Sequence, residues 1–500
     1  MAKRKRTEQS NGDSGANGAS TKKPRAEANQ PAEGQKPVET KPVESAEDLE
    51  PFTIQIVAGS YDRILHGITA HVTPKTATFA DTFLFTAHTS AIRALALSPP
   101  SAPAPGQSQK VFLVSGATDE KVNVYSLSAH PPSMKDREAQ NELAGLTPRP
   151  VLENKGNKEV GTLHHHEGGI TCLNFPSRGK LLSAGEDSAI AVTRTRDWSL
   201  LSKIKVPVPN AKGRPSGDTA SYRATPSGVN SFAVHESLKT MVSVSKGEKC
   251  IRLWNLVTGK KAGVLNFGRG LLRDVGEGRH ASGEGRKVVW GKSERGEDEF
   301  AVAFDRDVAV FGGDAVARCR VMGGIRTKVH ELSYLSVEEG GPSLLAVSTD
   351  DGRVLFFSTK VEDLVPAETK DDDEDEEEEK KLPSAKLVAT VGGRKAGVTS
   401  RIKDFTILRR GEAFYIIGGS SDGKIRIWSV GKGELLEAAK GTEASEVGKE
   451  MGVYGTQNRI TCLEGFVMIP RPEGVEESDA EEWEDESDDD EDDEDEDSEE

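Results

Sequence analysis

From Phe52 onward, apolar and polar residues alternate with a period of two in short runs bounded by Gly, Ser, Asp and Pro. Successive side chains of a strand point to opposite faces, so this pattern predicts many short antiparallel strands. The stretch KVFLVSGATDEKVNVYSL (110–127) shows the unit: an apolar run, a turn at Ala117-Thr118-Asp119-Glu120, then Val122 and Val124 alternating with Lys121 and Asn123. It predicts a hairpin. AIRALALS (91–98) upstream predicts a more buried strand and EVGTLHH (159–165) downstream an outer one, making four strands per unit. The hairpin phrase returns as YDRILHGI (61–68), TDEKVNVY (118–125), EDSAIAVT (186–193), GEKCIRLW (247–254), FDRDVAVF (304–311), DDGRVLFF (350–357) and SDGKIRIW (421–428). Seven units share one pattern.

A four-stranded sheet repeated about every 40 to 45 residues predicts a β-propeller, whose blades stack radially and bury one another's faces. The repeat resembles the WD40 family, which implies an all-β, seven-bladed WD40 β-propeller over residues 52–470. The family's turn aspartate matches Asp62, Asp119, Asp187, Asp305, Asp351 and Asp422, with Glu248 in its place once. Its strand-end aromatic matches Trp254 and Trp428, with Tyr125, Phe311 and Phe357 substituting, and its loop histidine matches His88 and His166. No unit has the full His, Ser, Asp, Trp set: His88 has Ser115 and Asp119 but Tyr125, and His166 has Ser183 and Asp187 but Thr193. The first unit begins directly with a hairpin, IQIVAGSYDRILHGI (54–68), and lacks an inner strand. NRITCLEGFVMI (458–469) supplies one, its Ile460-Thr461-Cys462-Leu463 repeating Ile170-Thr171-Cys172-Leu173. The two ends of the chain are therefore expected to share a blade and close the ring.

Charge is distributed unequally. The formal net charge is −17, yet Asp371–Glu379 holds nine carboxylates and Glu473–Glu500 holds 21; without these the chain has 65 basic against 52 acidic residues, a net +13. The first acidic run marks a loop insertion at 366–383 and the second a disordered acidic tail at 471–500, with no apolar face to fold around. Residues 1–50, poor in large apolar side chains, read as a disordered basic arm. Lys3, Arg4, Lys5 and Arg6 form one basic cluster there, and Lys22, Lys23 and Arg25 another; they resemble a nuclear localisation signal, with a generic basic arm as the alternative. In the tail, Ser478 and Ser487 each have a carboxylate three residues on, Glu481 and Asp490, making them candidate phosphosites for an acid-directed kinase of the casein kinase 2 type. A mildly basic body with acidic segments is suited to anionic or strongly basic partners; simple solubilisation is the alternative for the acidic runs.

Several features tempt a catalytic reading. The recurring aspartates could suggest hydrolysis, but one per unit at a turn is what backbone capping requires. His164-His165-His166 could suggest a metal, yet no other ligand recurs at metal spacing around it. Cys172, Cys250, Cys319 and Cys462 form no CxxC pair, and with no apolar leader or long apolar span the expectation is a reducing intracellular setting and no membrane. No nucleotide-binding or nucleophile motif is present, so neither cofactor nor catalytic residue is assigned. Two basic insertions could follow a phosphate backbone or be solvated loops: GRGLLRDVGEGRHASGEGRK (268–287), with Arg269, Arg273, Arg279, Arg286 and Lys287, and NAKGRPSGDTASYRATPSG (210–228), with Lys212, Arg214 and Arg223.

Beyond the generic repeat, IVAGSYDRILHGI, FLFTAHTSAIRALALS, LVSGATDEKVNVYSL, GTLHHHEGGITCLNF, LLSAGEDSAI, RDWSLL and IRLWNLVTGKKAGVL occur in this order. Together they resemble the p21-activated kinase-interacting protein 1-like family, of the maintenance of killer protein 11 type, over residues 52–469. The resemblance implies a nuclear and nucleolar non-enzymatic scaffold in large (60S) ribosomal subunit biogenesis and pre-rRNA maturation. Its implied partners are pre-60S assembly factors, ribosomal proteins and pre-rRNA. It also implies an alternative role, restraint of a p21-activated protein kinase.

Overall fold

The structure is a computed structural model that describes residues 50–104, 107–132, 151–209, 227–278, 281–293, 296–338, 343–366 and 381–471. Its strands form seven sheets, antiparallel but for one added edge strand, the blades of a propeller. In blade 1 the strand Ile460–Val467 pairs with Phe52–Ser60, which continues through Ile64–Val72 to Ala77–Thr86. The ring therefore closes through the C-terminal strand, as the repeated Ile-Thr-Cys-Leu predicted. The inner strands of blades 2 to 7 are Ile92–Leu97, Ile170–Ser177, Val229–Val234, Lys287–Lys292, Val329–Ser336 and Ile402–Arg410. Each touches the inner strand of the next blade, all the way round.

The core is divided among the junctions. Seven apolar clusters lie one between each pair of neighbouring blades: Ile190 with Phe232 and Trp254 between blades 3 and 4, for example, and Phe356 with Phe414 and Trp428 between blades 6 and 7. Because a blade is covered on both faces, its second strand is apolar at nearly every position, and all eight residues of Ala413–Ser420 are buried. The glycine ahead of the turn serves this packing. A Cβ on Gly116 would fall 2.5 Å from Ile170 Cγ2, and one on Gly419 would fall 2.9 Å from Ile460 Cγ2. The first isoleucine of the next inner strand thus seats on bare backbone.

The threonine of the Ile-Thr-Cys-Leu repeat has a specific task that spacing alone did not reveal. Thr171 Oγ1 donates to Val229 O in the next blade at 2.6 Å, and Thr461 Oγ1 donates to Ile92 O at 2.6 Å. Asp404 of blade 7 accepts the Leu463 N–H at 2.8 Å, so the ring-closing strand is tied on both sides.

Three elements depart from the repeat. The insertion read as a loop at 268–287 begins with a short helix, Arg269–Asp274, whose Leu272 packs into the junction of blades 4 and 5. A second helix, Lys432–Lys440, interrupts blade 7 and buries Leu435 and Ala438. The segment Ser445–Glu446 then adds a parallel fifth strand to blade 6. The N-terminal arm, the acidic run 371–379, most of the tail and their signals, Lys3, Arg4, Lys5, Arg6, Lys22, Lys23, Arg25, Ser478 and Ser487 among them, lie outside the described residues.

Candidate interaction surface

At one end of every blade, the loop entering the inner strand lies beside the turn that carries the recurring carboxylate. In blade 2, His88 Nδ1 is 3.1 Å from Asp119 Oδ1 and His88 Nε2 is 2.8 Å from Ser115 Oγ. Asp119 also accepts the backbone N–H of Thr89 at 2.9 Å and of Lys121 at 3.3 Å. Blade 3 repeats the set, with His166 3.0 Å from Asp187 Oδ1 and 2.8 Å from Ser183 Oγ. Burial pushes the His88 imidazole below its usual pKa despite the attraction of Asp119. Burial works in the opposite sense on Asp187, but the bonds from His166, Lys203 and the Glu167 amide overcome it and hold the carboxyl at about 2. The side chains join loop to turn.

The other turns solve the same problem differently. Asp62 accepts the Arg459 N–H at 3.2 Å, and Asp422 accepts the Lys424 N–H at 3.1 Å. In three blades a nearby cation also takes the carboxylate. Glu248 is held by both terminal nitrogens of Arg252, Asp351 by the Arg353 guanidinium, and Asp305 by Arg286 at 3.0 Å and Lys328 at 3.2 Å. In blade 5 the backbone acceptor is instead Asp307, which takes the N–H of Val308 and of Met322, each at 2.8 Å. The sequence signal for it is the second aspartate of DRDV, directly before the apolar run. The strand-end aromatics differ too. Trp254 donates from Nε1 to Ser243 Oγ at 2.8 Å, whereas Trp428 lies over Gly418 and its Nε1 has no partner among the described residues.

The histidine run does not converge. His165 Nδ1 is 3.1 Å from Thr193 Oγ1 while His166 turns to Asp187. Among the described residues no cluster of His, Cys, Asp and Glu is placed to hold a metal, and the four cysteines are free. Charged groups gather instead on the ring axis. Lys287 Nζ of blade 5 is 2.5 Å from Glu331 Oε2 of blade 6, and Asp404 and Glu464 stand on the next two inner strands. Burial between the inner strands, together with the neighbouring carboxylates, pushes Asp404 up to about 7 and Glu464 up to about 8.

The basic insertion at 268–287 is split by the fold. Arg269 and Arg273 fall on the short helix, Arg273 lining a cleft of about 810 Å³ with Arg320, Met322, Ile325 and Phe357. Arg286 reaches the turn face, and Lys287 turns onto the axis. Arg279, Lys212, Arg214 and Arg223 lie outside the described residues.

A ring of seven four-stranded units, with loop histidines bonded to turn aspartates, defines a WD40 β-propeller. The family described as WD domain, G-beta repeat matches residues 157–192, which run from the outer strand of blade 2 into the third strand of blade 3 and include the His166, Ser183 and Asp187 set. The chain is similar to the p21-activated protein kinase-interacting protein 1-like proteins: that of Danio rerio is 23% identical over 412 residues, covering 82% of this chain and 80% of the relative. The protein of the same name from Gallus gallus is 23% identical over 410 residues, covering 82% and 79%. Protein MAK11 of Saccharomyces cerevisiae is 26% identical over 438 residues, covering 82% of each chain.

Proposed function

We propose that this propeller is a non-enzymatic scaffold in the assembly of the large ribosomal subunit and the maturation of its RNA, acting in the nucleolus. The observation that carries this reading is that the similarity to MAK11 and to the kinase-interacting protein 1-like proteins extends over four-fifths of the chain and of each relative, so that a complete ring is shared. Support also comes from charge: a basic arm and body alongside acidic runs suit a compartment crowded with RNA and basic ribosomal proteins. The carboxylates and histidines of the turn face are consumed by structural bonds, which leaves that face for binding. Affinity purification of the full chain, with identification of bound protein and RNA, tests the reading. Large-subunit assembly factors and precursor RNA should copurify, and the chain should cosediment with pre-60S particles; absence of both would refute it. The names of the relatives favour a second reading, in which the ring binds and restrains a p21-activated protein kinase. Recovery of that kinase without ribosomal precursors would select it.

A further inference from the structure

The residue entering each inner strand holds one register position around the ring. Its carbonyl accepts the N–H of the residue that opens the neighbouring turn, at 2.8 to 3.2 Å in six blades: Thr118 to Ala91, Glu186 to Gly169, Lys246 to Gly228, Asp350 to Lys328, Ser421 to Arg401 and Tyr61 to Arg459. Blades 2, 3 and 4 thus place Ala or Gly here. Blades 6, 7 and 1 place Lys328, Arg401 and Arg459; blade 5 lacks this bond among the described residues, and its Arg286 stands beside the position, directly before the inner strand. Three consecutive blades each present one exposed cation at this position, Arg286 of blade 5 continues the row through Asp305, and blades 2, 3 and 4 present none at this position.

Neutralisation of this arc is incomplete. Asp305 is shared by Arg286 and Lys328, and Asp350 is shared by Arg401 at 3.7 Å and His330 at 3.0 Å. Lys403, one residue inside the strand of blade 7, and Arg459 form no ion pair among the described residues. Burial, with the fields of Arg401, Arg459 and Lys328, pushes the Lys403 amine below its usual pKa against the pull of Asp350, as expected of cations crowded beyond their counter-charge. Beside the arc stands an aromatic ring: Tyr61 is 59% exposed, with the Arg459 guanidinium 5.5 Å from its centroid.

Cations repeated once per blade match a ligand whose charges also repeat, and an exposed ring beside them offers a surface on which a base can stack. We infer that the turn face of blades 5, 6, 7 and 1 binds single-stranded RNA, with phosphates against Arg286, Lys328, Arg401 and Arg459 and a base against Tyr61. This surface lies apart from the glycine-rich insertions, apart from Arg286 itself. It deepens the ribosome-assembly reading and rests on it for the choice of RNA as the polyanion.

The test is fluorescence anisotropy of the full chain with a labelled single-stranded oligouridylate and a duplex RNA of equal length. The double variant Arg401→Gln/Arg459→Gln should weaken single-strand binding about tenfold and reduce the salt slope by about 1.4, at roughly 0.7 per lost phosphate contact. Tyr61→Ala should weaken single-strand binding about fivefold or more and leave duplex binding unchanged. A charge-matched control at the opposite end of the blades, Lys180→Gln/Lys239→Gln, should bind like the wild type. The substituted side chains are exposed, and an unchanged melting temperature confirms folding. Equal affinity of wild type and the Arg401→Gln/Arg459→Gln variant overturns the inference. So does a phosphoserine peptide that binds more tightly than RNA through the same residues, which would assign the arc to a phosphoprotein. A wild type that ignores oligouridylate but cosediments with pre-60S particles removes the arc and leaves the assembly reading; RNA binding through the arc without any ribosomal association does the reverse.

Discussion

Replacing Leu463 with alanine probes how far ring closure depends on the C-terminal strand. Leu463 is 1% exposed and packs with Ile54, Ile56, Ile417 and Ile460 at the junction of blades 7 and 1. Truncating a buried leucine costs about 2 to 5 kcal/mol, the larger values arising where the surroundings cannot collapse into the cavity. Here the backbone is pinned. Its own N–H donates to Asp404 at 2.8 Å, and two residues earlier Thr461 donates to Ile92 O at 2.6 Å, so the upper half of the range is expected. Folded domains are stable by only about 5 to 15 kcal/mol, and a loss of this size should move the unfolding midpoint well beyond experimental error. Denaturant titration followed by tryptophan fluorescence and circular dichroism reads the effect. Leu201→Ala is the control, because Leu201 is 48% exposed on the outer strand of blade 3 and should change stability by no more than about 0.5 kcal/mol. Deleting residues 458–470 should be more severe, since it uncovers the inner edge of Phe52–Ser60. Equal midpoints for Leu463→Ala and Leu201→Ala would show that the terminal strand is not what holds the ring.

The turn carboxylates should be graded by their bonds. Asp119→Ala, which strips His88 and the amides of Thr89 and Lys121 of their acceptor, should cost about 1 to 3 kcal/mol, and Asp422→Ala, which frees one exposed amide, less; equal losses in thermal melting would contradict this. Glu464 binds its proton more tightly in the ring than in the unfolded chain, its pKa rising from an ordinary 4.5 to about 8. Its contribution is therefore fully present below pH 4.5 and lost as pH rises toward 8, so Glu464→Gln should flatten the decline in melting temperature across that window; an unaltered pH profile would refute it. Removing residues 473–500 takes away 21 carboxylates. It should leave the ring folded, weaken binding to basic proteins and strengthen RNA binding at low salt, with both differences fading as added salt screens charges beyond about 8 Å. Identical RNA affinities of the two chains at low salt would show that the tail does not screen the body.

Much of the architecture was legible because a propeller repeats its physics. Each unit must bury both faces and turn tightly, so alternating apolar runs and the turn carboxylate recur along the chain. The exchange of the first inner strand for Ile460–Val467 could likewise be read from a missing phrase at one end and an extra one at the other. The side-chain assignments within the turns were less legible. Whether a turn carboxylate meets an amide or a cation depends on which long side chain reaches it, and Arg252, Arg353 and Lys328 come from positions that the hydrophobic pattern leaves free. The two helices and the added strand of blade 6 arise where insertions leave the repeat, and there periodicity carries no information.

By itself, the sequence determined the number of blades, how the ring closes and the separation of acidic runs from a basic body, because these are properties of local pattern and composition. Only the tertiary structure decided which charges become neighbours. Arg286, Lys328, Arg401 and Arg459 are scattered over 174 residues of chain and share no motif. Lys328, Arg401 and Arg459 form one arc because each stands at the same entry to an inner strand, and radial symmetry turns equal positions in successive blades into adjacent positions on one face; Arg286 joins them through Asp305, which it shares with Lys328. Lys287, Glu331, Asp404 and Glu464 come near one another because successive inner strands lie side by side around the axis.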